Sequence, residues 1–121
     1  MNEKAEQLKT RSKKFALRVL DLFRELPRSE EGRVLGNQVL RSATSVAANY
    51  PAACRARSKA EFVSKIGIVV EEADETEFWL EMIVEGRVMS RDRVSPLLKE
   101  AGELVAIFAA SQVTARSSMG Q

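Results

Sequence analysis

The stretch SKAEFVSKIGIVVEEADETEFWLEMIV, residues 58–84, decides the fold of this chain. Its apolar or small residues recur at intervals of three and four, at Phe62, Ile66, Val69, Ala73, Thr76, Leu80 and Ile83. This spacing places them along one side of a long helix, which needs apolar partners over its whole length. Ser58 followed by Glu61 is the capping-box pattern that marks a helix start.

Two segments before this stretch show the same helical spacing. The first runs from about Lys4 to Leu26 and ends at Pro27, because proline has no N–H to donate and disfavours helical geometry in the preceding residue. The second begins after Ser29, a predicted N-cap, and runs into the mid-fifties. Pro51 lies in its last part, which predicts either a kink or an early helix end.

One segment after the central stretch completes the set. Its helix is predicted to begin between Arg91 and Pro96 and to end near Val113. No part of the chain alternates with the period of two that is typical of strands. The sequence therefore predicts an all-α fold, an antiparallel up-down-up-down four-helix bundle over residues 1–114, with a disordered tail at residues 115–121.

The amino-acid composition limits the class of protein and the cellular compartment to which this chain can belong. The formal net charge is +2, but residues 1–60 carry a net +7 and residues 61–121 a net −5. Cys54 is the only cysteine, so no internal disulfide can form, as is usual in a reducing compartment. The chain has neither an apolar run long enough for a membrane span nor the apolar centre of a signal peptide. We expect a cytoplasmic protein with no membrane partner.

The residue types leave little room for catalysis. The acidic residues of the central helix invite comparison with carboxylate-bridged metal sites, but the chain contains no histidine to complete such a site. The usual nucleophile–base pairs cannot be built either. Cys54 fits a small packing residue better than a reactive thiol, although Arg55 and Arg57 would favour a thiolate. The sequence predicts no enzyme, cofactor, metal or small-molecule substrate.

Two helix faces are expected to point away from the bundle core. Heptad positions turn five residues of the central helix outward: Ile68, Glu71, Glu75, Phe78 and Met82. The same positions of the first helix turn out Thr10, Lys14, Leu17, Asp21 and Arg24, of which Lys14, Leu17 and Arg24 are the predicted contact residues. These faces are either ordinary solvated surfaces with stray apolar residues, or complementary surfaces through which copies associate. Because the two surfaces differ, their contact would be heterologous and could close into a ring, so we predict a cyclic homo-oligomer.

Basic residues are a second candidate for function. They crowd the first helix and the turn before the central helix, at Lys9, Arg11, Lys13, Lys14, Arg18, Arg55, Arg57 and Lys59. They are either solvated charges and partners for the acidic helix, or contacts to the phosphates of RNA or DNA. No recognised nucleic-acid motif accompanies them.

Asn49 is predicted to point into the core. A single buried amide can fix the register of packed helices, and recognition of a ligand or partner is the alternative role.

Several segments together resemble a bacterial protein family. They are FRELP at residues 23–27, QVLRSATSVAAN at residues 38–49, RARS at residues 55–58, Glu61-Phe62, and EEADETEFWLE at residues 71–81. This combination resembles the four helix bundle protein family, also known as the 23S rRNA-intervening sequence protein family. The resemblance covers about residues 15–110. The chain departs from the family at residues 50–54, YPAAC, where a stretch like Ile-Ala-Glu-Gly is usual.

The resemblance implies a four-helix bundle, commonly a homopentamer, without known enzymatic activity. The accessory protein of diversity-generating retroelements is more distantly similar, and it forms a basic pentameric barrel that engages reverse transcriptase and nucleic acid. We therefore expect a non-enzymatic interaction scaffold that assembles with itself, as a pentamer if it follows the family. The alternative is an RNA- or DNA-binding accessory protein that uses the basic face.

Overall fold

The computed structural model describes residues 2–119, all but a few of which lie in four helices. The helices are α1 (Glu3–Glu25), α2 (Glu30–Cys54), α3 (Lys59–Glu85) and α4 (Arg91–Met119). Each helix contacts the next one along the chain, and α1 also contacts α4, though sparsely. The described residues contain no strand. The prediction of an all-α four-helix bundle is confirmed.

A short polar side chain caps the start of every helix. Asn2 accepts a hydrogen bond from the N–H of Ala5, and Ser29 accepts one from Gly32 at 3.1 Å. Ser58 accepts one from Glu61 at 3.1 Å, as the capping-box pattern predicts. The N–H of Arg93 donates to Ser90 in the same way. These bonds satisfy N–H groups that have no acceptor inside the helix, so the chain itself specifies where each rod begins.

The core is formed by the apolar helix sides that the sequence predicts. The α3 side chains at Ile66, Val69, Ala73, Thr76, Leu80 and Ile83 are all buried. They pack with buried residues of the other helices, such as Phe15, Val39, Val46, Leu104 and Phe108. Phe62 is only half-buried and lies at the edge of this core. Burial of about twenty apolar side chains on four faces supplies the hydrophobic driving force that holds the helices together.

Contacts between α1 and α4 run in opposite directions along the two helices. Glu25, at the end of α1, pairs with Arg93 near the start of α4. Arg11, in the first half of α1, pairs with Glu100 and Glu103 further along α4. This is the order of contacts that antiparallel neighbours give.

Three details differ from the sequence prediction. First, of the two outcomes predicted at Pro51, the early helix end is wrong, since α2 continues to Cys54. Second, residues 115–119 of the predicted disordered tail are the last turn of α4, whereas Gly120 and Gln121 lie outside the described residues. Third, helical spacing also places Val34 on the apolar side of α2, but its side chain is 53% exposed, because the buried Gly32 and Gly36 face the end of α1 there.

Candidate interaction surfaces

The two faces predicted to point outward are exposed in the single chain. On α3, Phe78 is 49% exposed, Ile68 46% and Met82 40%, and on α1 Leu17 is 53% exposed. Glu71, Lys14 and Arg24 are also exposed beside them. Several large apolar side chains exposed to water on one helix face are uncommon in a monomeric protein. This face of α3 is therefore a candidate contact surface.

Phe78 is held in place by its neighbour on α3. Its ring meets Trp79 edge-on, with 4.9 Å between the ring centroids. The Trp79 indole donates to Glu75 at 3.0 Å, and Arg41 of α2 pairs with both Glu75 and Glu72. The Trp79 hydrogen bond, together with Arg41, holds the pKa of Glu75 below its usual range. Glu75, predicted to contact another copy, is thus already engaged within its own chain.

An open groove lies between α1 and α2. Its volume is about 470 Å³, and its lining is almost entirely apolar. Leu17, Leu20 and Ala16 come from α1, and Leu40 comes from α2. Polar residues of both helices form the edge, namely Lys13, Asn37, Arg41 and Thr44. The α2 side of this groove was not predicted from the sequence. Leu40, which follows the buried Val39, is the apolar residue that could have indicated it.

Two of the predicted phosphate-binding cations are engaged in ion pairs inside the chain. Lys9 pairs with Glu6 at 2.8 Å. Arg11 donates two hydrogen bonds to Glu100, at 2.7 and 2.8 Å, and a third to Glu103 at 2.7 Å. The hydrogen bonds to Arg11 hold the pKa of Glu100 below its usual value. Arg11 therefore joins α1 to α4 and is not a free cation.

The other predicted cations lie in two places. Lys13 and Lys14 are exposed on α1, and Arg18 is half-buried there. Arg55, Arg57 and Lys59 are exposed in and beside the turn from α2 to α3, where the Lys59 ammonium contacts the Ser118 hydroxyl of α4. Within residues 2–119, Lys13, Lys14, Arg18, Arg55, Arg57 and Lys59 form no ion pair with a carboxylate.

Asn49, predicted to point into the core and fix the register between helices, makes no hydrogen bond to another helix within residues 2–119. It is half-buried, and its amide donates to the carbonyl oxygen and the hydroxyl of Ser45, one turn earlier on the same helix. The polar contact between helices lies deeper, where the hydroxyls of Ser42 on α2 and Thr76 on α3 are 2.8 Å apart in the buried core. Asn49 lies at the edge of the inner face, where a small rotation of the helix decides which side chains are buried.

A second, larger cavity opens between α1 and α4 at the end of the bundle that carries the α2–α3 turn. Its volume is about 950 Å³, and Tyr50, Cys54 and Phe62 are among its lining residues. Burial raises the pKa of Tyr50 above its usual range. In the part of the chain that the structure describes, no three Asp, Glu or Cys side chains come together as a metal ion would require. No helix there is long and apolar enough to span a membrane.

Comparison with known proteins gave a family model and similar solved structures. The family model described as 23S rRNA-intervening sequence protein matches residues 4–110. The chain is also similar to a crystal structure of a protein of unknown function from the S23 ribosomal protein family of Bacteroides thetaiotaomicron. The two share 31% sequence identity over 90% of this chain and 97% of the other, with a TM-score of 0.82. A search of curated proteins found no match.

Proposed function

The chain belongs to the 23S rRNA-intervening sequence protein family, and we propose that it is a non-enzymatic interaction scaffold that assembles with copies of itself into a closed ring. The observation that carries this proposal is the exposed apolar face of α3, with Phe78 half-exposed at its centre. The pentameric state implied by the family resemblance is the ring size we propose.

The α1–α2 groove is the proposed counterpart of that face. Its floor is apolar, as the side chains of Phe78 and Met82 require, and its edge carries Lys13, which forms no ion pair with a carboxylate within residues 2–119. The α3 face is acidic, with Glu71 exposed beside the apolar residues. Apolar fit with opposite charges at the rim favours this pairing over two α3 faces meeting each other, which would place like charges together.

Two different surfaces on each copy give a heterologous contact. Such contacts propagate from copy to copy and close when the rotation between neighbours divides a full turn. Lys14, Leu17 and Arg24 on α1 and Ile68 on α3 would border the same contact. Glu75 would support it indirectly by holding Trp79, and through Trp79 the ring of Phe78.

The test is the assembly state of a Phe78→Glu variant. Sedimentation velocity or light scattering at tens of micromolar should show a ring for the natural chain and a monomer for the variant, since burying an unpaired carboxylate in an apolar contact is costly. Val113→Glu is the matched control, because Val113 is 61% exposed but lies on α4, away from both surfaces. A natural chain that is monomeric at this concentration would refute the proposal, as would a Phe78→Glu ring.

Nucleic-acid binding is the second candidate, and the exposed turn with Arg55, Arg57 and Lys59 favours it. These side chains have no carboxylate partner among the described residues, and ring formation would multiply them. Phosphate binding of this kind weakens steeply with salt. A triple change of these residues to Ser should abolish RNA or DNA binding at low salt, whereas a triple change of Arg87, Arg91 and Lys99 should not. Absence of binding at about 50 mM salt would exclude this function.

A further inference from the structure

The cavity between α1 and α4 has a shape set by small residues. Ala5 on α1 and Ala110 and Ala115 on α4 line it, so the two helices leave space between them instead of filling it with side chains. Arg11, which also lines the cavity, pairs with Glu100, and farther along Arg93 pairs with Glu25, so that these pairs draw the same helices together. The cavity is therefore an elongated opening at one end of the bundle only.

The inner walls of the cavity are mostly apolar. Leu8 of α1, Phe62 of α3 and Ile107 of α4 surround a floor formed by Tyr50 and Cys54. Its volume of about 950 Å³ is at the upper end of the ordinary range for small-molecule sites, about 300 to 1,000 Å³. The stretch of α4 that lines it is about 16 Å long, from Ile107 to Ser118. An extended hydrocarbon chain fits these dimensions and this lining.

The mouth of the cavity is cationic. Lys4 and Lys59 line it from α1 and α3, and neither pairs with a carboxylate among residues 2–119. Arg55 and Arg57 lie in the adjoining turn. Among the acids near these lysines in the chain, Glu6 is paired with Lys9 and Glu61 with Lys65, while Glu3 is exposed to solvent. An apolar interior with unpaired ammonium groups at its entrance selects a molecule with an apolar body and one anionic end.

We propose that this cavity binds a soluble long-chain carboxylate, with the acyl chain along Leu8, Phe62 and Ile107 and the carboxylate between Lys4 and Lys59. The proposal does not rest on the proposed ring, because the cavity residues are distinct from the α3 face and the α1–α2 groove. Cys54 gives the site its own reporter, since it is the only cysteine and lies in the cavity floor.

The first test uses dodecanoate below its micellar concentration with the full chain. Calorimetry should show binding, and saturating dodecanoate should slow the reaction of Cys54 with a thiol reagent about tenfold or more, because a bound chain covers the floor of the cavity. Dodecanol, which has the same chain without the charge, should bind about threefold to tenfold more weakly. Unchanged thiol reactivity, or equal binding of the alcohol, would overturn the proposal.

Variants distinguish the part of the cavity that would bind the acyl chain from the part that would bind the carboxylate. Ala110→Trp fills the cavity and should reduce dodecanoate affinity about tenfold or more, whereas Ala106→Trp, one turn earlier at an exposed position outside the cavity, should not. Lys4→Glu combined with Lys59→Glu should weaken dodecanoate and leave dodecanol unchanged, with Lys99→Glu as the control. These lysines are exposed, so the second pair stays informative even if Ala110→Trp misfolds.

Vesicles of phosphatidylglycerol distinguish a soluble ligand from a membrane surface. Co-sedimentation with vesicles in the absence of any dodecanoate binding would overturn the proposal, because it would make the basic end a membrane contact and leave the cavity unused. Loss of ring assembly in Ala110→Trp but not in Ala106→Trp would also overturn it, since the cavity would then belong to the contact between copies.

Discussion

At the scale of single residues, the buried hydroxyls of Ser42 and Thr76 link two helices, whereas the half-buried amide of Asn49 bonds within its own helix. Ser12, Ser42 and Thr76 are the buried polar residues of the described chain. Ser42 and Thr76 contact each other across α2 and α3 while also reaching carbonyl oxygens of their own helices. Because a mispaired register would leave these hydroxyls buried without a partner on the facing helix, they favour one alignment of the two helices.

The Ser42–Thr76 contact predicts a measurable coupling. Thr76→Val should lower the free energy of unfolding by about 1 kcal/mol, because a buried hydrogen bond is lost at nearly constant volume. Urea denaturation of Thr76→Val, Ser42→Ala and the double variant should give effects that do not add. Thr44→Val is the control, since Thr44 is exposed and bonds only to its own helix. Additive effects would show that the two hydroxyls do not stabilise each other.

The Arg11–Glu100 pair predicts acid sensitivity. Arg11 holds the pKa of Glu100 below its ordinary value of 4.5 in the folded state. The unfolded chain therefore takes up this proton first, so the stabilisation is present above that value and is lost as the pH falls through the folded pKa. Between neutral pH and about pH 3, the natural chain should lose about 1 kcal/mol more than Glu100→Gln. Glu31→Gln, at an exposed position with no ion pair among residues 2–119, should behave like the natural chain.

At the scale of helices, the junction between α1 and α2 depends on a glycine. A Cβ added at Gly32 would lie 2.4 Å from the backbone oxygen of Pro27, which cannot move aside as a side chain can. At Gly102, by contrast, the added Cβ would meet only the end of the Glu77 side chain, at 3.0 Å.

The two glycines predict effects of opposite sign. Gly32→Ala should lower the free energy of unfolding by about 1 to 3 kcal/mol, since the turn must shift. Gly102→Ala should raise it by about 0.5 to 1 kcal/mol, because alanine is the better helix former. Thermal or urea denaturation of the two variants checks this, and a stabilising Gly32→Ala would show that the turn has room to adjust.

The sequence predicts helix starts better than helix ends. Ser29 and Ser58 are correct N-caps because capping is a local bond between a side chain and an N–H three residues away. The end of α4 has no such local signal. Its last turn includes Ser118, which contacts Lys59 of α3, and this is a contact between distant parts of the chain. The exposed face of Phe78 was predictable from heptad spacing. The two cavities were not, because they depend on how far apart neighbouring helices lie.

At the scale of the whole molecule, the proposed ring couples stability to concentration. Association that favours the folded state raises the melting temperature as the protein concentration rises. A tenfold increase should raise the Tm of the natural chain by about 3 to 6 °C. Phe78→Glu should remove this dependence, and Val113→Glu should keep it. A Tm independent of concentration in the natural chain would contradict assembly at these concentrations.

The sparse packing of α1 against α4 has a consequence for the order in which the molecule comes apart. α1 meets α4 through the pairs of Arg11 and of Glu25, with the large cavity beside them, and it otherwise packs on α2 alone. By contrast, α2 packs extensively on α3, and α3 packs extensively on α4. Local unfolding begins at the element that has the fewest buried contacts with the rest of the molecule. The first helix should thus detach as its own cooperative unit, and its amide protons should exchange with deuterium while those of the remaining three-helix body stay protected.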